Sequence, residues 1–383
     1  MGWSEASIMS LRREFVRLAA QDGANVRELC RRYQISPTTA YKWIGRGASS
    51  EETYEDRSRR PRRSPNQTAA KIEEQILMVR DAHPVWNARK IRRVLQRDFG
   101  LDPPVPAAST IGQILKRNGR ISEAASAAAH EWQRFEHAAP NELSQIDFKG
   151  SFETGQGRCY PLTMIDDHSR YAQILKACTN ERTETVKHHL IECFRRFGLP
   201  RQMNMDNGNP WGNPTGERYT HLTVWLIRLG VAISHSRPLH PQTNGKDERF
   251  HRTLKAELLG KRWFGTFGEL QSELDRWRDL YNHERPHEAL GLEVPASRYR
   301  ASVRAYPEVL PEFEYDTRTV RSVGKRGCVS IAGAAYYVGT AFAGQRVAIK
   351  PTTDDGLWDV YFCHERVASV NYRDQLAAAK WHR

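Results

Sequence analysis

The sequence predicts a multidomain protein, with α-helical helix-turn-helix modules at the N-terminus, a mixed α/β core and a small all-β barrel at the C-terminus. Three observations lead there. Residues 1–120 hold two sets of three short amphipathic helical segments, and this third of the chain carries 23 Lys+Arg against 13 Asp+Glu. From Leu143 onward, period-two runs alternate with helical runs, as in a mixed sheet. Beyond residue 318 only short alternating runs with glycine turns remain.

At 383 residues the chain is too long for one compact domain. Its net charge of +13 is concentrated at the front, since residues 121–300 carry 24 Lys+Arg against 23 Asp+Glu and residues 301–383 carry 11 against 9. A basic arm on a near-neutral body points to a polyanion partner. DNA fits better than a membrane surface, because no basic amphipathic helix with a broad apolar face is present. No apolar run is long enough to span a bilayer, and the first residues lack an export signal, so a cytoplasmic protein is expected. The six cysteines include no Cys-x-x-Cys pair and read as reduced core thiols. His188, His189 and Cys193 are close on a helical pattern, but no second ligand pair accompanies them, and they read as ordinary helix residues.

Residues 1–47 form the first helical module. Ile8, Leu11, Phe15 and Leu18 share one helical face, and Asn25 can cap a second helix carrying Val26, Leu29, Cys30 and Tyr33. Ser36-Pro37 starts a third, which buries Ala40, Trp43 and Ile44 and shows Thr38, Thr39, Lys42 and Arg46 to solvent. A tight second turn before a polar, basic third helix fits a major-groove reader; the rival is a packing module that its charges merely solubilise. Residues 48–67 read as a basic linker, where Arg59, Arg60, Arg62 and Arg63 flank Pro61. They fit a minor groove or phosphates, and a plain solvated linker is nearly as good a reading. Residues 68–120 repeat the three-helix plan, with Ser109, Thr110, Gln113, Lys116 and Arg117 on the open face of the third helix. Two such modules in tandem can read a longer site than either alone.

Residues 121–140 read as a connecting helix through Trp132 and Phe135, and residues 141–300 as the α/β core. Ile146 and Phe148 alternate with Gln145, Asp147 and Lys149, so the first strand has one apolar face and one carrying Asp147. Strands at Tyr160–Ile165 and Tyr171–Cys178 complete a meander around a turn at Asp166-Asp167-His168-Ser169. A helix ending at Gly198 leads to a short strand that stops at Asp206-Asn207-Gly208. Asp147 and Asp206 can converge if their strands are neighbours.

After a turn at Pro241 and Asn244-Gly245, a charged helix buries Phe250, Leu254 and Leu258 and puts Glu248, Arg252 and Lys255 on one face. Alone, Glu248 and Arg252 read as a surface ion pair. Taken with Asp147 and Asp206, Glu248 becomes the third arm of a hard-oxygen metal site. Such a site suits two Mg²⁺ or Mn²⁺ ions that clamp the attacking and leaving oxygens of an in-line phosphoryl transfer, with Asp147 as the bridge. Asp166 and Asp167 read as turn residues, and Asp247 as pointing about 100° away from Glu248. Residues 301–383 read as the β-barrel, whose role in DNA binding or subunit contact stays open.

The segments Gln145-Ile-Asp147-Phe, Met205-Asp206-Asn-Gly208 and His240-Pro-Gln-Thr-Asn-Gly-Lys-Asp-Glu248-Arg-Phe-His-Arg-Thr-Leu-Lys255 resemble those of bacterial insertion-sequence DDE transposases of the retroviral-integrase-like type. Tyr281-Asn282-x-x-Arg285-Pro-His287 resembles the segment that closes that core. The resemblance implies an RNase H-like core with Asp147, Asp206 and Glu248 as its acidic triad, and contact of Arg252 and Lys255 with the element's DNA end. It further implies cleavage exposing a 3′-OH at each end and attack of that hydroxyl on target DNA, by a homo-oligomer of at least two chains because two ends are joined. The interval from Asp206 to Glu248 is longer than in retroviral integrases, through a loop at Asn209–Glu217, and helix-turn-helix modules stand where those enzymes carry a zinc module. The expected function is therefore DNA transposition. The alternatives are a DNA-binding regulator derived from a transposase and a structure-specific nuclease on the same core.

Overall fold

The computed structural model describes residues 8–47, Tyr54, Asp56, and residues 67–100, 105–121, 136–212, 217–235, 245–317 and 319–371. The proposed linker arginines Arg59, Arg60, Arg62 and Arg63, residues 122–135 of the proposed connecting helix (with Trp132 and Phe135), and the loop His240–Asn244 lie outside them. Residues 136–140 of that proposed helix are not helical, with bends and a turn at 138–140. The chain divides into two compact units, Met1–Gln67 and Thr68–Arg383.

The first unit holds α1 (Ile8–Ala19), α2 (Val26–Arg32) and α3 (Pro37–Gly47). Asn25 caps α2 by accepting the Glu28 N–H, and Ser36 Oγ accepts the Thr39 N–H at the start of α3. Phe15, Cys30 and Ala40 form the small core. Trp43 is buried beneath cations, with the Arg12 and Arg46 guanidinium carbons 4.1 Å and 4.7 Å from its ring centre.

The second unit opens with α4 (Ala70–Ala82), α5 (Ala88–Asp98) and α6 (Ala108–Arg117), packed around Ile76, Trp86, Ile91, Leu95, Ile111 and Leu115. The basic face of α5 turns toward the α/β core. Asn87 and Arg93 donate to Glu288 and Glu293, Arg97 donates to the Glu284 carbonyl at 3.1 Å, and Lys90 is buried.

The core sheet is mixed. It contains β1 (Leu143–Phe148), β2 (Phe152–Thr154), β3 (Gly157–Asp166), β4 (Ala172–Cys178), β5 (Gln202–Met205) and β6 (Ala232–His235). β3 runs antiparallel to β2, β4 and β1, whereas β1, β5 and β6 are mutually parallel neighbours. The expected meander is present; the β2 hairpin was not anticipated. One sheet face carries Ile146, Met164, Ile174 and Met203 against α7 (Thr183–Phe197) and α8 (His221–Arg228). The other carries Ile165 and Leu175 against α9 (Gly245–Leu254) and α10 (Phe267–His283). Side chains of α10 also serve the outer edge of β4. Gln271 accepts the Ala177 N–H at 2.8 Å, and Asn282 accepts from and donates to the Ala172 backbone. An edge strand whose polar groups are covered in this way is closed to further pairing.

Residues 319–371 hold β7 (Val320–Ser322), β8 (Cys328–Ile331), β9 (Ala334–Tyr337), β10 (Arg346–Pro351), β11 (Leu357–Phe362) and β12 (Glu365–Asn371). The strands form an open sheet in the order β12–β11–β10–β7 and a separate β8–β9 hairpin. The expected closed barrel is therefore not formed among the described residues, because β12 and β7 stand at opposite edges. Their apolar faces join the α7–α8 side of the core; Phe342 meets Tyr219 with ring centres 5.1 Å apart. No described helix is long and apolar enough to cross a membrane.

Candidate active site

The site is assembled by strand register. β1 and β5 pair with Gln145 opposite Asn204, so two residues further on Asp147 stands level with Asp206. Across the antiparallel side, Asp147 is the partner of Thr163. Ile146 and Phe148 project into the apolar core on the opposite face.

Asp206 lies where β5 gives way to a loop. The Gly208 N–H donates to Asp206 Oδ1 at 3.0 Å, and His235 Nδ1 meets the Asp206 carbonyl at 2.9 Å. A Cβ at Gly208 would come within 3.1 Å of Asp206 Oδ2, so the close approach of this loop to the carboxylate suits glycine. The Asp147 carboxylate accepts the Phe148 N–H at 2.8 Å. Burial and then Asp206 push its pKa up to about 7, against the opposing pull of that N–H, with Glu181 and Glu248 adding smaller upward contributions. Burial also raises Asp206, eased by the Gly208 N–H and by His235. Glu181, between β4 and α7, is raised by burial and by Asp206. It belongs to this acidic cluster and was not anticipated, because a lone loop carboxylate carries no sequence signal.

Glu248 sits in the first turn of α9 and is exposed, as are Arg252 and Lys255 below it. At Lys255 the helix widens into a π turn, Lys255–Leu259. Burial and the neighbouring Lys255 lower the pKa of the Lys149 amine, so a second cation lies beside this face. Glu257 and Arg285 form a buried ion pair of 2.9 Å that ties the π turn to the end of α10.

Asp247 departs most from expectation. It is 1 % exposed and faces inward with Phe250 and Leu254. Thr163 Oγ1 lies 3.3 Å from Asp247 Oδ1, 2.8 Å from His251 Nε2 and 3.0 Å from the Asp147 carbonyl oxygen. Burial and then Asp147 raise the Asp247 pKa well above the usual carboxylate range, while burial and Lys149 bring His251 down to about 3. The helical signal was there to read: position 247 precedes Phe250 by three residues and Leu254 by seven, so it lies on the buried stripe.

The other aspartates hold the frame. Asp166 accepts the N–H groups of Asn141 and Ser169, each at 2.7 Å, as a turn residue does. Asp167 accepts from Gln145 and the His137 N–H, each at 3.0 Å, and pairs with Lys246, which fixes the start of α9.

In the helical modules Thr38 and Lys42 are exposed, Thr39 Oγ1 meets Ser36 Oγ at 2.9 Å, and Arg46 covers Trp43. On α6, Gln113 and Lys116 are exposed and Thr110 is half-buried, but Arg117 is bonded to Glu73 of α4.

The residues around Asp147 fit a divalent cation. Asp206 raises the Asp147 carboxyl at the strand ends, and on the α9 side Asp247 Oδ2 is buried without a hydrogen-bond partner. A bound cation would relieve both penalties.

Residues 137–241 and 229–295 match models described as integrase core domain. Residues 11–62 match a helix-turn-helix domain, residues 39–115 a homeodomain-like domain, and residues 318–377 the C-terminal domain of IS481 family transposases. The chain is thus an integrase-core protein with helix-turn-helix domains. Together with the insertion-element relatives below, these matches support a bacterial insertion-sequence transposase.

An uncharacterized 31.7 kDa protein of insertion element IS407 from Burkholderia multivorans (strain ATCC 17616 / 249) is 28% identical over 170 residues, 44% of this chain and 59% of that protein. An uncharacterized 39.2 kDa protein of insertion element IS476 from Xanthomonas euvesicatoria is 26% identical over 167 residues, 43% of this chain and 46% of that protein. The chain therefore spans about half the length of these relatives. The Gag-Pol polyprotein of avian reticuloendotheliosis virus is 30% identical over 145 residues, 37% of this chain and 12% of the polyprotein. Among solved structures, a chain of the simian T-cell lymphotropic virus intasome in complex with a PP2A regulatory subunit matches 77% of this chain and 99% of its own length, at 14% identity and a TM-score of 0.36.

Proposed function

We propose that this chain is a DNA transposase that binds the ends of a mobile element through its helix-turn-helix modules and joins those ends to target DNA at Asp147, Asp206 and Glu248. The observation that supports the reading is the parallel pairing of β1 with β5, which brings Asp147 near Asp206 just past the end of β5, where burial and then Asp206 raise the Asp147 pKa.

Two reactions follow from this reading. In the first, a water oxygen attacks the phosphorus at the element end, the bond to the 3′ oxygen breaks, and a 3′-OH and a 5′-phosphate result. In the second, the freed 3′ oxygen attacks a target phosphorus and displaces a target 3′-OH, so one phosphodiester forms for each one broken. Asp147, Asp206 and Glu248 would hold two Mg²⁺ or Mn²⁺ ions, with Asp147 shared between them. When bound, the ions supply Lewis-acid charge at the phosphate and ease deprotonation of the attacking hydroxyl. Arg252 and Lys255, exposed on the same helix as Glu248, hold the DNA backbone beside the site. Thr38, Lys42 and Arg46 on α3, and Thr110, Gln113 and Lys116 on α6, are the proposed groove contacts, while Arg117 first has to leave Glu73. The working form is a homo-oligomer of at least two chains, because two ends are joined together.

The test first searches the DNA on either side of the gene for short inverted repeats and uses these as the substrate. Asp147→Asn, Asp206→Asn and Glu248→Gln are expected to bind this DNA as wild type does and to give no joined product in Mg²⁺. A nuclease without joining activity would yield nicked ends and no target-joined species.

A further inference from the structure

The α9 side of Asp147 holds polar groups that the proposed reaction does not use. Asp247 and His251 lie one helical turn apart on the buried face of α9. One oxygen from each of Asp147 and Asp247 and one ring nitrogen of His251 all fall within 4.8 Å of one another. Asp247 is fully enclosed and its Oδ2 has no hydrogen-bond partner, with His251 Nε2 at 3.7 Å. Its other oxygen, Oδ1, is backed by Thr163. Two carboxylates this close repel each other, and the unpartnered oxygen of the fully buried Asp247 is costly.

We propose that Asp147, Asp247 and His251 form a mixed oxygen–nitrogen site for a transition-metal dication. Asp147 is shared with the acidic site at the strand ends, so the inference rests on the reading of Asp147 as a metal ligand. The ligand class follows from the donors. Oxygen-only sets suit Mg²⁺, whereas an imidazole shifts preference toward Mn²⁺ and zinc-like ions. Thr163 Oγ1, 2.8 Å from His251 Nε2, gives up that hydrogen bond when the nitrogen coordinates and stays as a partner for Asp247. The site predicts a chain that distinguishes Mn²⁺ from Mg²⁺ through α9 as well as through its strand-end carboxylates.

The experiment is Mn²⁺ titration of the full chain, read by electron paramagnetic resonance, with electron spin echo modulation to detect a coordinated nitrogen. Wild type is expected to show nitrogen modulation that disappears in His251→Gln. Asp247→Asn and His251→Gln should each weaken one class of bound Mn²⁺ by at least about tenfold. Asp206→Asn should retain the nitrogen-coupled class. Nitrogen modulation that persists in His251→Gln, or Mn²⁺ affinity unchanged in both α9 variants, overturns the site. The wild-type spectrum needs no variant, so a variant that fails to fold does not decide the matter: a wild-type spectrum without nitrogen coupling overturns the inference alone. If Asp147→Asn loses Mn²⁺ while the α9 variants do not, the proposed function stands and this site falls. If Asp147→Asn loses no Mn²⁺, both fall.

Discussion

Asp147 has two flanks built on different physics. Toward β5 it meets Asp206 at the mouth of a loop, where the Gly208 N–H offsets part of that carboxylate's charge. Toward α9 it meets the buried Asp247 and the half-buried His251, both against Thr163. The first flank is a strand-end site open to a ligand. The second is an enclosed polar cluster whose cost is borne by the packing of Phe250 and Leu254. Carboxylates on the open side can exchange water for a metal or a phosphate, whereas on the enclosed side the protein offers Asp247 Oδ2 no hydrogen-bond partner, which leaves a bound ion as its compensating contact.

The comparison can be broken most forcefully at Asp206. Asp206→Asn removes a negative charge from the open flank and should reduce strand joining to background in a gel assay, while end binding measured by mobility shift is unchanged. On the enclosed side the anchor of α9 is the Arg285–Glu257 pair, with only 8 % of each side chain exposed. Arg285→Ala removes the counter-charge of the buried Glu257 carboxylate, leaving it the Trp277 indole N–H at 3.1 Å, and should destabilise the second unit by about 3 kcal/mol, seen in chemical denaturation.

The loop beside Asp206 comes next. At Gly212 a Cβ would sit 2.4 Å from the Asn207 carbonyl oxygen, so Gly212→Ala has to displace backbone and should cost roughly 1–3 kcal/mol in the same measurement. At Gly208 the nearest atoms to an added Cβ are those of the Asp206 carboxylate, the closest at 3.1 Å. Gly208→Ala should lower joining while shifting the melting temperature little, which separates geometry from stability.

The pH dependence of metal-free protein sharpens the contrast. Asp147 holds its proton more tightly when folded, with a pKa of about 7. Its contribution to stability is fully present below the unfolded carboxylate pKa and is lost as pH rises through 7. Asp147→Asn should therefore be more stable than wild type at pH 8, on the order of 2 kcal/mol, with the advantage vanishing near pH 4. A variant less stable than wild type at pH 8 would contradict the assigned burial. The smallest effect is expected on the exposed face of α9. Arg252→Ala and Lys255→Ala should each lower the slope of log affinity against log salt by about one, equally for any DNA sequence.

The open flank was legible in the sequence because strand ends announce themselves. Asp147 alternates with Ile146 and Phe148, and Asp206 precedes Asn207-Gly208 at the end of a short apolar run. The enclosed flank was overlooked because the charges of α9 drew attention to the face of Glu248, Arg252 and Lys255, although Asp247 shares the stripe of Phe250 and Leu254. The basic face of α5 shows the same limit. Charge alone does not say whether Arg93 will meet a phosphate or, as here, Glu293 two hundred residues away. The closed barrel was inferred from alternating runs, but alternation specifies strands and not which edges meet. The cap at Asn25, the helix start at Ser36-Pro37 and the stop of α7 at Gly198 were readable because each depends only on neighbours along the chain.

The most direct test of the acidic site is strand joining by Asp147→Asn, Asp206→Asn and Glu248→Gln, each compared with wild type in Mg²⁺ on inverted repeats identified in the DNA beside the gene. Wild type should yield target-joined product, and the three variants should bind the ends and yield none. Joined product at wild-type level from any one of them would contradict the assignment of that carboxylate and the site built on it.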